Sequence, residues 1–161
     1  MKMKLPLQEA KQRVSELMNK GYHCGPAVMQ VMWETANLEN EDLLWASTAF
    51  LGGIAQQNYA TCGAISSAAI FLGLSHCTPL SEKEKAKQER TATREEASEL
   101  VKSFINKFGT IICHDLLALD LSKPEGRHKF QQTEVWKDKC NVYAEYVIEK
   151  LYEINETRGK S

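Results

Sequence analysis

The sequence contains few of the features that mark membrane, secreted or nucleic-acid-binding proteins. Its apolar runs break well short of the roughly 20 residues that a membrane-spanning helix needs, so we expect no membrane insertion. The basic N-terminal residues lead into a charged segment and not a hydrophobic signal segment, which predicts a cytoplasmic location. The formal net charge of -1 provides no field that would attract nucleic acid.

Most recognisable catalytic motifs are missing as well. The sequence has no serine–histidine–acid pattern, no Walker loop and no dinucleotide-binding fingerprint, so neither a hydrolase nor a nucleotide cofactor is expected. Gly52-Gly53 does not form a phosphate-binding loop, because no lysine follows it at the required spacing. Closely spaced Cys-x-x-Cys pairs are also absent, which argues against a zinc ribbon or zinc finger.

The chain is predicted to be all-α. Strand-like alternation is nearly absent, and apolar residues recur at spacings of three and four. A length of 161 residues suits one domain, so we expect a single-domain helical bundle of about six to seven helices spanning 1–161. The predicted helices cover about 6–19, 24–36, 41–50, 61–72 and 81–108, a short helix that opens at 113 and ends before 124, and a last helix over 133–155.

Further predictions concern two connecting segments, one helix and the C-terminal tail. Ser81 and Glu84 have the spacing of a capping box at the start of the fifth helix, and residues 122–127 are predicted to be a loop. The helix over 61–72 is apolar nearly all round and rich in Ala and Ser, which places it in the middle of the bundle. Such a helix also allows a homodimer, although nothing in the sequence requires one. The tail from about residue 156 is predicted to be disordered.

The informative feature of the chain is its five cysteines. Cys24, Cys62 and Cys113 lie where helices are predicted to begin, and the unpaired N–H groups there favour a thiolate. Cys140 is predicted to lie in the middle of the last helix on its apolar stripe, where simple packing explains a cysteine taken alone. Cys77, in a connection between helices, stands outside this set. The pattern suggests that four sulfurs converge on one redox or metal site.

The order of these residues resembles the C-GCAxxG-C-C family of redox-active proteins. The matching elements are Cys24, then Cys62-Gly63-Ala64, then Cys113 and Cys140, and the similarity covers roughly residues 7–148. Gly52-Gly53 and the segment that begins Cys113-His114 resemble the family too. The chain departs from the family at Ser67, where the family element has glycine. The extra hydroxyl requires looser packing or a backbone carbonyl partner.

The resemblance implies a redox function. Many family members are encoded near transporter genes, and a related domain occurs in split-Soret cytochrome c, where an iron–sulfur centre accompanies haem. The present sequence has no Cys-x-x-Cys-His motif, so covalently attached haem is not expected.

Three hypotheses remain open at this point, and whether the protein is an enzyme is open with them. In the first, Cys24, Cys62, Cys113 and Cys140 bind an iron–sulfur cluster or another metal. In the second, Cys24 and Cys62 are the catalytic pair of a thiol–disulfide oxidoreductase or redox switch, with His114 helping to hold a thiolate at Cys113. In the third, the chain is a non-catalytic helical adaptor. The expected partner is an electron-transfer protein or a transporter.

Overall fold

Apolar residues on the long helices meet in one main core. The computed structural model describes residues 2–159, and those residues form helices and no β-strand. In chain order the helices are α1 (Leu7–Asn19), α2 (Cys24–Ala36), α3 (Asp42–Trp45), α4 (Gly63–Ser75), α5 (Lys83–Phe108), α6 (Cys113–Leu117), α7 (Pro124–Gln132), α8 (Val135–Asp138) and α9 (Cys140–Arg158). The predicted all-α, single-domain bundle is confirmed.

Helix α4 lies in the middle of the bundle, as its small apolar residues predicted. It packs against α2, α5 and α9, and its buried residues include Ala64 and Ala68. Side chains of this size let neighbouring helices approach closely, which suits a central helix. Large core side chains come mainly from the surrounding helices and include Met29, Met32, Phe104, Ile148 and Leu151.

Helices α3 and α5 differ from their predictions at the ends. The third helix was predicted to run to residue 50 but ends at Trp45, and the chain continues in turns. None of its four residues is buried, and Trp45 is 77% exposed, so no core contact extends the helix. The predicted capping box is wrong: α5 begins at Lys83 after Glu82, and no side chain caps it.

The segment predicted as a loop around Pro124 is partly helical. Proline suits the first turn of a helix, and Pro124 opens α7 there. The guanidinium of Arg127 donates to the carbonyls of Leu121 and Ser122, each at 2.9 Å. Gly126 packs so closely on the carbonyl of Asp120 that a Cβ would lie 1.8 Å from that oxygen. These contacts hold the start of α7 against its own connection.

The predicted last helix is divided in two. Helix α8 ends at Asp138, Lys139 has a distorted helical backbone at φ -114° and ψ -65°, and α9 then begins at Cys140. At the other end, the predicted disordered tail is helical as far as Arg158, whose guanidinium bonds to Glu96 and, at 3.1 Å, to Ser75. The rest of that predicted tail, 160–161, lies outside the described residues.

No helix in residues 2–159 combines the length and apolar character needed to cross a membrane.

Ser67 carries an unsatisfied hydroxyl in this core. Its side chain is fully buried in α4, and its Oγ has no hydrogen-bond partner among the described residues. The backbone carbonyl partner considered above is therefore not made. Leaving a buried hydroxyl unpaired costs free energy, because the group has lost its bonds to water.

We predict that Ser67→Ala raises the free energy of unfolding by about 1 kcal/mol, because it removes an unpaired buried hydroxyl without opening a large cavity. Thermal unfolding should show a melting temperature higher by about 2–4 °C. The matched control is Ser66→Ala in the same helix, since Ser66 Oγ donates to the Cys62 carbonyl at 3.4 Å. A fall in melting temperature for Ser67→Ala, or an equal rise for both variants, would contradict the interpretation.

Candidate functional site

Four of the five cysteines line one cavity. The cavity has a volume of about 300 Å³, and Cys24, Cys62, Cys113 and Cys140 all contribute to its wall. The fifth, Cys77, is exposed and does not line the cavity. All five thiols are free in the structure. The structure thus brings together the four sulfurs that the sequence pattern grouped, and it leaves out the one that the pattern excluded.

Cys24 and Cys62 are held at neighbouring helix ends by the backbone of Phe50. A Cβ at Gly25 would lie 2.4 Å from the Phe50 carbonyl oxygen, and one at Gly63 would lie 2.3 Å from the same atom. The glycine after each cysteine therefore lets one carbonyl enter between the first turns of α2 and α4. A Cβ at Gly63 would also lie 3.2 Å from Cys24 Sγ. This close approach brings the two thiols into contact.

The loop before α4 ties Cys62 to Cys113. The backbone N–H of Cys62 donates to the Ile111 carbonyl at 2.7 Å, and the N–H of Cys113 donates to the Ala60 carbonyl at 3.0 Å. The isolated bridge between Thr61 and Ile112 belongs to the same pairing. Two cysteines that are far apart in the sequence thereby begin α4 and α6 side by side.

Asn58 is a residue whose role the sequence analysis did not find. Its side chain is fully buried, donates to the Leu119 carbonyl at 2.6 Å and accepts from the Leu121 N–H at 3.1 Å. Its own carbonyl accepts from the His114 N–H at 2.6 Å. Asn58 thus fixes the segment after α6 against the loop before α4. A polar residue in a predicted loop gave no signal of this role, because its partners lie more than 50 residues away.

Cys140 is not in the middle of a helix, so that prediction is wrong. It is the first residue of α9. Cys24 is the first residue of α2, Cys62 directly precedes α4, and Cys113 is the first residue of α6. All four cysteines therefore lie where helices begin. At the starts of the long helices α2, α4 and α9, unpaired N–H groups favour negative charge on a nearby sulfur.

Cys24 is the thiol in this set that ionises most readily. A hydrogen bond from the Cys62 thiol holds the pKa of Cys24 below its usual range, although burial opposes this effect. The backbone N–H groups of Ala64, Gly25 and Cys24 itself act in the same direction. The same pairing with Cys24, together with burial, raises the pKa of Cys62 well above its usual range. Of the pair, Cys24 is therefore the thiol that loses its proton first, with Cys62 as its hydrogen-bond donor.

The other two cysteines are harder to ionise. Burial raises the pKa of Cys113 to about 12, although a hydrogen bond from the Gly53 N–H opposes the rise. Burial likewise raises the pKa of Cys140 well above its usual range, and negative charge at Cys24 adds to the rise. The positive charge of the neighbouring Lys139 acts in the opposite direction. Ionisation is therefore easier at Cys24 than at the other three cavity cysteines.

His114 does not support a thiolate at Cys113 in the way considered above. Its ring is stacked on Tyr59 with centroids 4.5 Å apart, and its Nδ1 lies 3.1 Å from an oxygen of Asp115. It does not line the cavity. His23, by contrast, lies at the cavity edge, where partial burial lowers its pKa.

The remaining wall of the cavity is mostly apolar and aromatic. Helix α7 supplies one side through Arg127, Phe130 and Gln131, and Trp136 and Tyr143 supply another. Among the described residues that line the cavity, none carries a carboxylate. The metal-binding side chains of the wall are therefore the four cysteines and His23, and such sulfur and imidazole donors suit zinc, copper or iron–sulfur centres better than calcium or magnesium.

The four thiols line the cavity wall without forming a ready-made group for one metal ion. Within residues 2–159, no group of three or more His, Cys, Asp or Glu side chains is arranged to hold a metal ion. The four thiols surround a cavity instead of contacting one another as a set. A mononuclear zinc cage of the tetrahedral kind is thus not preformed here.

Comparison with known proteins identifies the family. A family model described as "Putative redox-active protein (C_GCAxxG_C_C)" matches residues 22–154. The match covers most of the chain and all four cavity cysteines, so this protein belongs to that family, as its sequence pattern indicated. No match was found among curated proteins or among solved structures.

The close packing on Phe50 gives a prediction about stability. Gly63→Ala should lower the free energy of unfolding by about 1–3 kcal/mol, because the new Cβ would collide with a backbone carbonyl that has little room to move. Urea unfolding of the reduced protein measures the change. Gly73→Ala is the control in the same helix, since a Cβ there would meet nothing within 4 Å. That variant should gain up to about 1 kcal/mol from helix propensity. Equal effects of the two substitutions would contradict the packing argument.

The pairing of Cys24 with Cys62 gives a prediction about reactivity. In metal-free, reduced protein, alkylation of Cys24 by iodoacetamide should begin at a lower pH than alkylation of the other cavity cysteines. Cys62→Ala should move the pH profile of Cys24 upward, because the thiolate loses its thiol donor. Peptide mass spectrometry across a pH series gives each profile, with Cys77→Ala as the control that changes nothing. An unchanged Cys24 profile in Cys62→Ala would show that the pair does not set its pKa.

Proposed function

We propose that this protein is an electron carrier whose four cavity cysteines hold one [2Fe–2S] cluster. The observation that carries the proposal is the common cavity of Cys24, Cys62, Cys113 and Cys140. Four cysteine thiolates are the usual ligand set of such a cluster. A cysteine pair alone would suffice for disulfide chemistry and would leave two of the four without a role.

The charges around the cavity suit a cluster that is held by thiolates. Thiolates and sulfides carry negative charge, and the starts of α2, α4 and α9 present partly positive N–H groups at Cys24, Cys62 and Cys140. The high pKa of the buried thiols does not prevent binding, because metal binding displaces the thiol protons. The high pKa of the thiols does make cluster assembly depend on pH, since a lower pH keeps the thiols protonated and weakens binding of the cluster.

The open arrangement of the sulfurs favours a cluster over a single ion. A cluster with two metal atoms reaches ligands that are farther apart than those around one zinc ion. The cavity of about 300 Å³ leaves room for a centre larger than one ion. When bound, the cluster would supply one-electron transfer. The aromatic wall formed by Phe130, Trp136 and Tyr143 would limit access of water to it.

Elemental analysis of protein purified without oxygen tests the proposal. We predict about two iron and two sulfide per chain, as a [2Fe–2S] cluster requires, with visible absorption that bleaches on reduction. Cys24→Ser and Cys62→Ser should each abolish cluster binding, and Cys113→Ser and Cys140→Ser should lower iron content as well. The matched control is Cys77→Ser, since that exposed thiol lies away from the cavity. Full iron content in the Cys24 and Cys62 variants, or its loss in Cys77→Ser, would contradict the assignment.

The contact between Cys24 and Cys62 favours a second candidate, thiol–disulfide exchange. The Cys24 thiolate would attack a disulfide substrate, form a mixed disulfide and release one substrate thiolate. Cys62, after losing its proton, would attack the Cys24 sulfur and release the second thiolate. The protein would gain a Cys24–Cys62 disulfide, and the substrate would be reduced to two thiols. Iron-free protein that loses two titratable thiols on oxidation, with the loss mapped to Cys24 and Cys62, would select this candidate over the cluster.

A further inference from the structure

We infer that Lys139 is a positioning residue that joins the two helices that carry Cys113 and Cys140. This inference rests on the proposed function, in which those two cysteines serve the same centre. Lys139 does not line the cavity itself, yet its contacts set the relative position of the two cysteines.

The contacts of Lys139 connect α9 with the far end of α6. Its ammonium donates to the carbonyl of Leu116 at 3.0 Å and lies 3.4 Å from the carbonyl of Leu117. Tyr143, one turn along α9, donates its hydroxyl to the same Leu116 carbonyl at 3.3 Å. The last carbonyls of a helix have no partner within that helix and need one elsewhere. Lys139 and Tyr143 provide partners for the last carbonyls of α6.

The two ends of α6 are fixed by different parts of the chain. At its start, the N–H of Cys113 donates to the Ala60 carbonyl, which joins it to the loop before α4. At its end, Lys139 and Tyr143 join it to α9. Because α6 has only five residues, fixing its end restrains the direction in which Cys113 faces the cavity.

The backbone of Lys139 gives it a second effect on the same site. It is the residue at which the chain leaves α8, and the next residue is Cys140 at the start of α9. A side chain anchored on α6 therefore fixes the backbone directly before Cys140. One lysine thus restrains both cysteines, one through its ammonium and one through its own peptide bond.

The test measures whether Cys113 and Cys140 meet, and it needs no bound metal. A parent with Cys24→Ser, Cys62→Ser and Cys77→Ser keeps only these two thiols. Dibromobimane, which becomes fluorescent when it bridges two thiols, reports their proximity.

We expect Lys139→Met to lower the bridging rate about tenfold, since small displacements of reacting groups strongly slow reaction. Lys139→Arg should restore bridging, because its guanidinium can reach the same carbonyls. Lys137→Met is the control, since Lys137 is exposed and pairs with Glu134 at 2.7 Å.

The melting temperature of each variant separates positioning from loss of the fold. Slow bridging in Lys139→Met, with rescue by arginine and little change in melting temperature, supports the inference. Bridging at the parent rate in Lys139→Met overturns it, and so does failure of bridging in the folded parent. Slow bridging with a large fall in melting temperature and no rescue by arginine also overturns it, since the residue would then serve stability alone. Iron content is measured separately, so failure of the proposed function would be recognised independently.

Discussion

The structure of the site depends on the Phe50 carbonyl that lies between the first turns of α2 and α4. Any side chain at Gly25 or Gly63 would collide with this oxygen. The two helices can therefore begin next to each other only because each cysteine is followed by glycine. Cys24 and Cys62 face each other as a result, and the cavity forms beside them. The loop that continues from Phe50 then brings in Cys113, through backbone pairing at Ala60 and Ile111.

Four sulfurs around one cavity would repel one another if all were ionised without a positively charged partner. Among the four, ionisation is favoured only at Cys24, because the Cys62 thiol and backbone N–H groups donate hydrogen bonds to its sulfur and lower its pKa. Burial keeps Cys113 and Cys140 protonated. A positively charged centre would remove those protons and convert the whole set to thiolates. The same geometry therefore suits both a protein without a bound centre and one that holds it.

The parts of the site that local residues determine could be predicted from the sequence. Gly21 and Pro26 bracket the start of α2, and Gly63 follows Cys62, so these two cysteines could be placed at helix starts from the sequence. Cys140 could not be placed at a helix start from the sequence, because the residues before it continue an amphipathic helical pattern without glycine or proline. The break at Lys139 instead accompanies hydrogen bonds to α6, which local sequence does not reveal. Asn58 was missed for the same reason, and Pro124 was interpreted as the end of one element when it begins another.

The central claim is that four distant cysteines form one redox centre in a shared cavity. The most direct test is a crystal structure of protein kept free of oxygen, with anomalous diffraction collected on both sides of the iron absorption edge. The account predicts an iron signal inside the cavity, within bonding distance of Cys24, Cys62, Cys113 and Cys140. An empty cavity in protein that contains iron elsewhere, or a Cys24–Cys62 disulfide in the crystals without any iron signal, would contradict it.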